Sequence, residues 1–267
     1  MSLLQYSFFQ NALIGSLLAS IVCGLVGTYV VTRRIVFVSG GITHATFGGI
    51  GLAVWLQLPS MLTAAVFSVL TAFGIRWLSG RRDMREDSAI AIFWTLGMSV
   101  GIICSFLTPG FVPELSSYLF GNVLLIMPAD IWLLGGLALV AVCIYTFFLR
   151  TLLAVAFDPV FARSMHLPVA FVEYGMMAFI ALTVVACLRI VGIVLMIALL
   201  TIPQVTANLF TDDFKKMALL SIPIAYAGCL GGLVFSCAYN IPSGATIIFV
   251  SVVIYLICKA FHRKAAQ

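Results

Sequence analysis

Stretches of about twenty mostly apolar residues with at most one or two charges recur along this chain, each long enough to carry a helix across a hydrocarbon layer roughly 30 Å thick. That recurrence restricts the fold more than any motif does. With 63% hydrophobic and 9% charged residues among 267 and a mean hydropathy of +1.19, the composition excludes a soluble domain. The chain is expected to be all-α, a polytopic transmembrane helical bundle forming a single transmembrane domain over 1–267. The runs fall at about 9–31, 35–56, 60–79, 89–108, 130–149, 169–188, 190–210, 217–237 and 243–260. Nine spans fit best, with eight and ten as the alternatives. The difficult stretch is 109–129, where Pro109, Pro113 and Pro128 interrupt an apolar segment too short to cross comfortably; it reads as external or re-entrant.

The charges report orientation. Arg33 and Arg34 follow the first run, Arg76, Arg81, Arg82 and Arg85 the third, and Arg150 ends the fifth. By the positive-inside rule these connections are cytoplasmic, which puts the N-terminus outside and the C-terminus, with Lys259, Arg263 and Lys264, in the cytoplasm. Arg189 is then the single basic residue of fourteen left outside. The formal charge of +5 is spread over these short clusters, so it reflects a membrane surface and gives no reason to expect a nucleic-acid partner. The seven cysteines lie mostly within apolar runs without a CxxC pair and read as packing residues. No basic region precedes the first run, so that run is expected to be retained as a span.

Within the second run, RRIVFVSGGITHATFGGIGLA at 33–53, His44 is the only titratable side chain after the arginines. Eleven residues of helix from Arg33 cover roughly 16 Å, about half of the hydrocarbon core. An ionisable group at that depth must face protein or water and is a functional candidate. The surrounding glycines, Gly40, Gly41, Gly48, Gly49 and Gly51, permit either close helix approach or space beside the imidazole. In the run 191–210, Pro203 is expected to bend a helix and free a carbonyl. Gln204, Thr206 and Asn208 follow it, either lining a pathway or bonding to neighbouring helices. Between the fifth and sixth runs, Asp158 and Pro159 form a helix-start signal. A short amphipathic helix should follow, carrying Phe161, Arg163, Met165 and Leu167, with a solvated loop as the alternative. The sequence contains no GxxxxGK[ST] phosphate loop and thus no visible means of hydrolysing a nucleotide itself.

Taken together, RRIVFVSGGITHATFGGIGLA at 33–53, YLFGN at 118–122, FDPVFARSMHLP at 157–168, VGIVLMIALLTIPQVTA at 191–207 and IPSGA at 241–245 resemble the membrane permease subunits of ATP-binding-cassette importers for zinc, manganese and iron. The resemblance covers nearly the whole chain and implies a type II ABC importer-like permease in the cell (inner) membrane. It further implies a homodimer with a pathway between the copies, a cytoplasmic ATPase subunit and an extracytoplasmic metal-binding protein. On that pattern His44, Gly40, Gln204 and Asn208 are the metal or pathway candidates. Asp158, Phe161, Arg163 and Met165 are the candidates for coupling to the ATPase. The divalent metal is then cargo, with no permanently bound cofactor, and lipid is the surrounding partner.

Two positions depart from the pattern. The family commonly has Asp four residues before the intramembrane histidine, where this chain has Gly40, and often an acid before the external turn, where it has Asn240. A carboxylate one turn from an imidazole would share its helical face and suit a divalent ion; without it, a low-affinity wet passage or a different divalent metal is the expectation. The competing readings are an importer of an iron chelate or organic cofactor, and a self-sufficient metal channel or secondary carrier.

Overall fold

The computed structural model describes residues 7–81, 84–108, 121 and 126–265. Among these described residues there are eleven helices: α1 Ser7–Thr32, α2 Val36–Leu56, α3 Ser60–Ser79, α4 Glu86–Leu107, α5 Pro128–Phe147, α6 Leu149–Phe157, α7 Pro159–Ser164, α8 Val169–Leu199, α9 Ile202–Asn208, α10 Phe214–Tyr239 and α11 Ser243–Ala265. Among the described residues, nine helical segments are long and apolar enough to cross a membrane, in agreement with the sequence reading. The proline-interrupted segment 109–120 lies outside the described residues, as does most of YLFGN.

The bundle has a buried axis and a rim. α1, α2 and the first part of α8 bury most of their residues, whereas α3, α4, α5 and α11 bury under a third. α2, α3 and α4 pack as one group, α1 with α5, α10 and α11 as another, and α8 touches both. Both groups use glycine for close approach, a Cβ on Gly232 of α10 standing 2.4 Å from the Ile247 Cα of α11. α2 and α4 approach backbone to backbone: a Cβ on Gly51 would stand 2.5 Å from the Gly101 carbonyl oxygen, and one on Gly97 2.5 Å from the Ala45 Cα. Only glycine allows that separation, which is how membrane helices gain contact where lipid offers no hydrophobic drive. The second group adds buried polar links between its helices. The Tyr145 hydroxyl donates to the Leu25 carbonyl, and the Ser221 hydroxyl to the Gly24 carbonyl at 3.1 Å.

The spans predicted at 169–188 and 190–210 are joined without an intervening loop. α8 continues to Leu199, and the break falls at Gly192, with φ 78° and ψ 166°, a conformation that side chains with a Cβ resist. Pro203 does not bend a continuing helix as the sequence reading expected. It occupies the first turn of a separate helix, α9, behind a nonhelical Thr201, because a first turn is where a missing amide hydrogen costs least.

One end of the bundle collects the basic residues. A cavity of about 370 Å³ there is lined by residues of α1, α3, α7 and α8 and the first residue of α4. This puts the first connection, the third and the 158–168 segment on one side, as the charge pattern implied. Aromatic side chains mark both interfaces: Trp77 carries the Arg81 guanidinium 4.0 Å above its ring at the basic end, while Trp55 and Trp132 are exposed towards the other.

Candidate ion passage and coupling helix

His44 sits at mid-height of α2. Its half-buried ring lies parallel to Trp94 of α4, with centroids 4.2 Å apart and planes 9° from parallel. Stacking leaves the ring edge free for in-plane coordination, and the buried Nδ1 has no hydrogen-bond partner among the described residues. Around it the polar groups are spent locally. Thr43 donates to the Ser39 carbonyl at 2.6 Å, and the Thr46 and Ser68 hydroxyls pair across α2 and α3 at 2.7 Å. His44 thus carries a buried ring nitrogen that these local hydrogen bonds leave unpartnered.

Gly40 lies one turn away on the same helical face. Most α2 glycines are wedged against neighbouring helices, but a Cβ at Gly40 would meet only Ile197 Cδ1, at 3.6 Å. The position accepts a Cβ without a clash. Of the two roles anticipated for these glycines, close approach holds for Gly41, Gly48, Gly49 and Gly51, and space holds for Gly40.

Gln204 and Asn208 occupy other environments. Pro203 cannot donate to the Leu199 carbonyl, the bond a helical residue 203 would make. The Gln204 side chain does so instead, its Nε2 donating to that carbonyl at 3.2 Å and to the Cys23 carbonyl of α1 at 2.7 Å. Gln204 is fully buried and acts here as a splice across the break between α8 and α9. Its Oε1 has no partner among the described residues. Asn208 is exposed in the last turn of α9. Among the described residues no cluster of three or more His, Cys, Asp or Glu side chains is placed to hold a metal ion.

The predicted amphipathic segment resolves into two helices. α6 buries Leu152, Val155 and Ala156, a helix that the sequence reading did not separate from its surroundings. Asp158 then caps α7, its carboxylate accepting from the Val160 and Phe161 amides at 3.0 and 2.9 Å. α7 is shorter than the sequence suggested, because His166 turns left-handed at φ 57°. The Leu167 amide bonds back to the Ala162 carbonyl and the His166 amide to the Arg163 carbonyl, at 3.1 and 3.0 Å. This two-bond closure ends a helix even without glycine. Ala162 is buried against Val155 and Val169, which fixes the roll of α7. Val160 is 74% exposed, Phe161 56% and Met165 60%; Arg163 is exposed as well.

A feature missed from sequence lies beside α7. Glu173, one turn inside α8 and only 5% exposed, joins Arg33 at 2.6 Å and also pairs with Arg76. In the sequence Arg33 and Arg76 carry a topological reading alone, and Glu173 reads only as an acid near a span end. An acid four residues into an apolar span was the available signal.

Residues 5–262 match the ABC 3 transport family. This chain belongs to that family. It is 40% identical over 260 residues to the uncharacterized membrane protein slr2045 of Synechocystis sp., covering 97% of this chain and 92% of that one. It is 34% identical over 262 residues to the manganese transport system membrane protein MntC of Halalkalibacterium halodurans, covering 98% and 90%. Among solved structures it resembles PsaBC from Streptococcus pneumoniae in complex with Fab, with a TM-score of 0.86, 30% identity and coverage of 96% and 92%. The family member is thus an all-α, multi-span membrane permease over essentially its whole length.

Proposed function

We propose that this permease is the membrane subunit of an ABC importer that moves a divalent transition metal inward, with ATP hydrolysed by a separate cytoplasmic ATPase subunit. The observation that carries the reading is α7: a capped helix at the basic end whose buried Ala162 fixes its roll and whose exposed Val160, Phe161 and Met165 have no partner in the described chain. Those apolar side chains form the contact with the ATPase, with Arg163 at its rim and Asp158 holding the helix start. The name of the H. halodurans relative makes Mn2+ the first ion to test. An imidazole without a carboxylate partner accepts several ions of this series.

In this reading two copies of the chain enclose the passage, the N-terminus is outside, the C-terminus is cytoplasmic, and an extracytoplasmic protein delivers the metal. His44 is the ligand of the passage and Gly40 leaves room beside it. Asn208, and the unpartnered Gln204 Oε1, are secondary candidates. The test is uptake of Mn2+ into vesicles holding the chain together with its ATPase and binding protein. ATP-dependent uptake that needs all three is expected. Uptake by the purified chain alone would overturn the reading in favour of a channel or secondary carrier.

A further inference from the structure

The ion cluster around Glu173 joins more of the molecule than a pairwise salt bridge would. Its Oε1 accepts from Arg33, just beyond the end of α1, at 2.6 Å, and its Oε2 from Arg76 in the last turn of α3. Arg33 also donates through Nη1 to the Val155 carbonyl of α6 at 3.2 Å. A single carboxylate on α8 therefore fastens α1 and α3 directly, and α6 through Arg33. α6 runs into α7 with only Asp158 between them. The cavity of about 370 Å³ lies between this cluster and α7, with Pro159, Val160 and Arg163 on one side and Arg33, Arg76 and Glu173 on the other. α7 is thus tied to the cluster through α6, while open space separates the two directly.

We propose that Glu173 is a positioning residue for energy coupling, converting a displacement of α6 and α7 into a joint movement of the α1, α3 and α8 ends. The inference rests on the reading of α7 as the ATPase contact. Apolar side chains could pack these ends equally well but would let them slide. A carboxylate shared by two guanidiniums is directional, and such clusters change by exchanging partners between discrete arrangements. The cavity supplies the room for that exchange. Arg163 and Glu86 line it, offering one new partner of each sign when α7 moves inward.

The competing role is a staple that only holds the fold, and two variants in the full complex with the ATPase separate the roles. In Glu173→Gln, the ATPase still co-purifies, and Mn2+ transported per ATP hydrolysed falls about tenfold, the size of an ordinary coupling free energy. In the triple variant Arg33→Met, Arg76→Met and Glu173→Met, thermal stability returns to near the parental value, since an apolar replacement of an ion cluster around a buried carboxylate is often neutral. Its transport ratio stays as low as that of Glu173→Gln. A parental ratio in Glu173→Gln, or a triple variant that recovers stability and ratio together, overturns the proposal. Should Glu173→Gln not fold, the ratio in the triple variant decides alone. If the parent chain binds no ATPase at all, it is the functional reading that fails, a result distinct from either of these.

Discussion

His44 and Glu173 are both ionisable residues in apolar helices, yet their surroundings are opposite. His44 is stacked on one ring and has a buried nitrogen without a hydrogen-bond partner among the described residues. Glu173 spends both oxygens on arginines, Arg33 just past the end of α1 and Arg76 in α3. A group that must pick up an ion and release it cannot be fully satisfied by the protein, because the protein would then compete with the ion. A group that must carry a displacement from one helix to others has to be satisfied, since an unpaired buried charge would cost stability in every state. The middle of α2 carries an imidazole nitrogen without a hydrogen-bond partner among the described residues; the basic end carries a carboxylate with both oxygens paired.

The largest effect expected on this contrast comes from α7. Phe161→Asp combined with Met165→Asp would bury two carboxylates in an apolar contact, a penalty on the order of several kcal/mol. Mn2+-stimulated ATP hydrolysis should disappear while the permease stays folded. Crosslinkers placed on α7 that never reach the ATPase would break the assignment of the basic end to coupling.

His44→Ala comes next. Uptake at limiting Mn2+ should fall by about tenfold or more, since even the outer partners of a metal ligand are worth that much. Assembly with the ATPase should be intact. Unchanged uptake would remove His44 from the passage and leave its stack on Trp94 as packing alone.

Gly40→Asp sharpens the same side of the comparison, and the open space there makes it tolerable. The new carboxylate would share a face with His44. Metal retained by the purified permease after desalting should rise severalfold, while uptake at saturating Mn2+ slows because release becomes harder. A folded variant that retains no more metal than its parent would show that the two positions do not face a common ion.

The smallest effect on transport is expected from Gln204→Met. It strips the splice from the Leu199 and Cys23 carbonyls, costing about 1–3 kcal/mol of stability, visible as a lower melting temperature. Its Mn2+ dependence of uptake should match the parent. A weaker Mn2+ response would move Gln204 from structural splice into the passage.

Much of the architecture was legible beforehand because it depends on length and polarity alone. The nine spans, the common side of the basic connections and the capping by Asp158 all follow from local pattern. The functional details were less legible wherever a residue had two physical uses. Gln204 could line a pathway or satisfy a backbone group, and only the break at Leu200–Thr201 shows which carbonyl it reaches. Arg33 and Arg76 obey the positive-inside rule whether or not they are paired, so their charge pattern conceals their shared partner. Pro203 was expected to kink a helix and instead starts one, because a nonhelical Thr201 before it had no signature in the sequence.

By itself, then, the sequence determined that this chain must live in a bilayer, where nine of its segments can cross, and which of its ends carries the positive charge. Those properties are sums over local residues, set by the cost of placing apolar or charged groups in water or hydrocarbon. Only the tertiary structure decided that Gly40 is open while Gly51 is wedged, that His44 has Trp94 for a neighbour, and that Glu173 gathers α1, α3 and α8. Each of these depends on which helices meet, over separations of up to 140 residues in the case of Arg33 and Glu173. Contacts of that kind leave no trace in periodicity or composition.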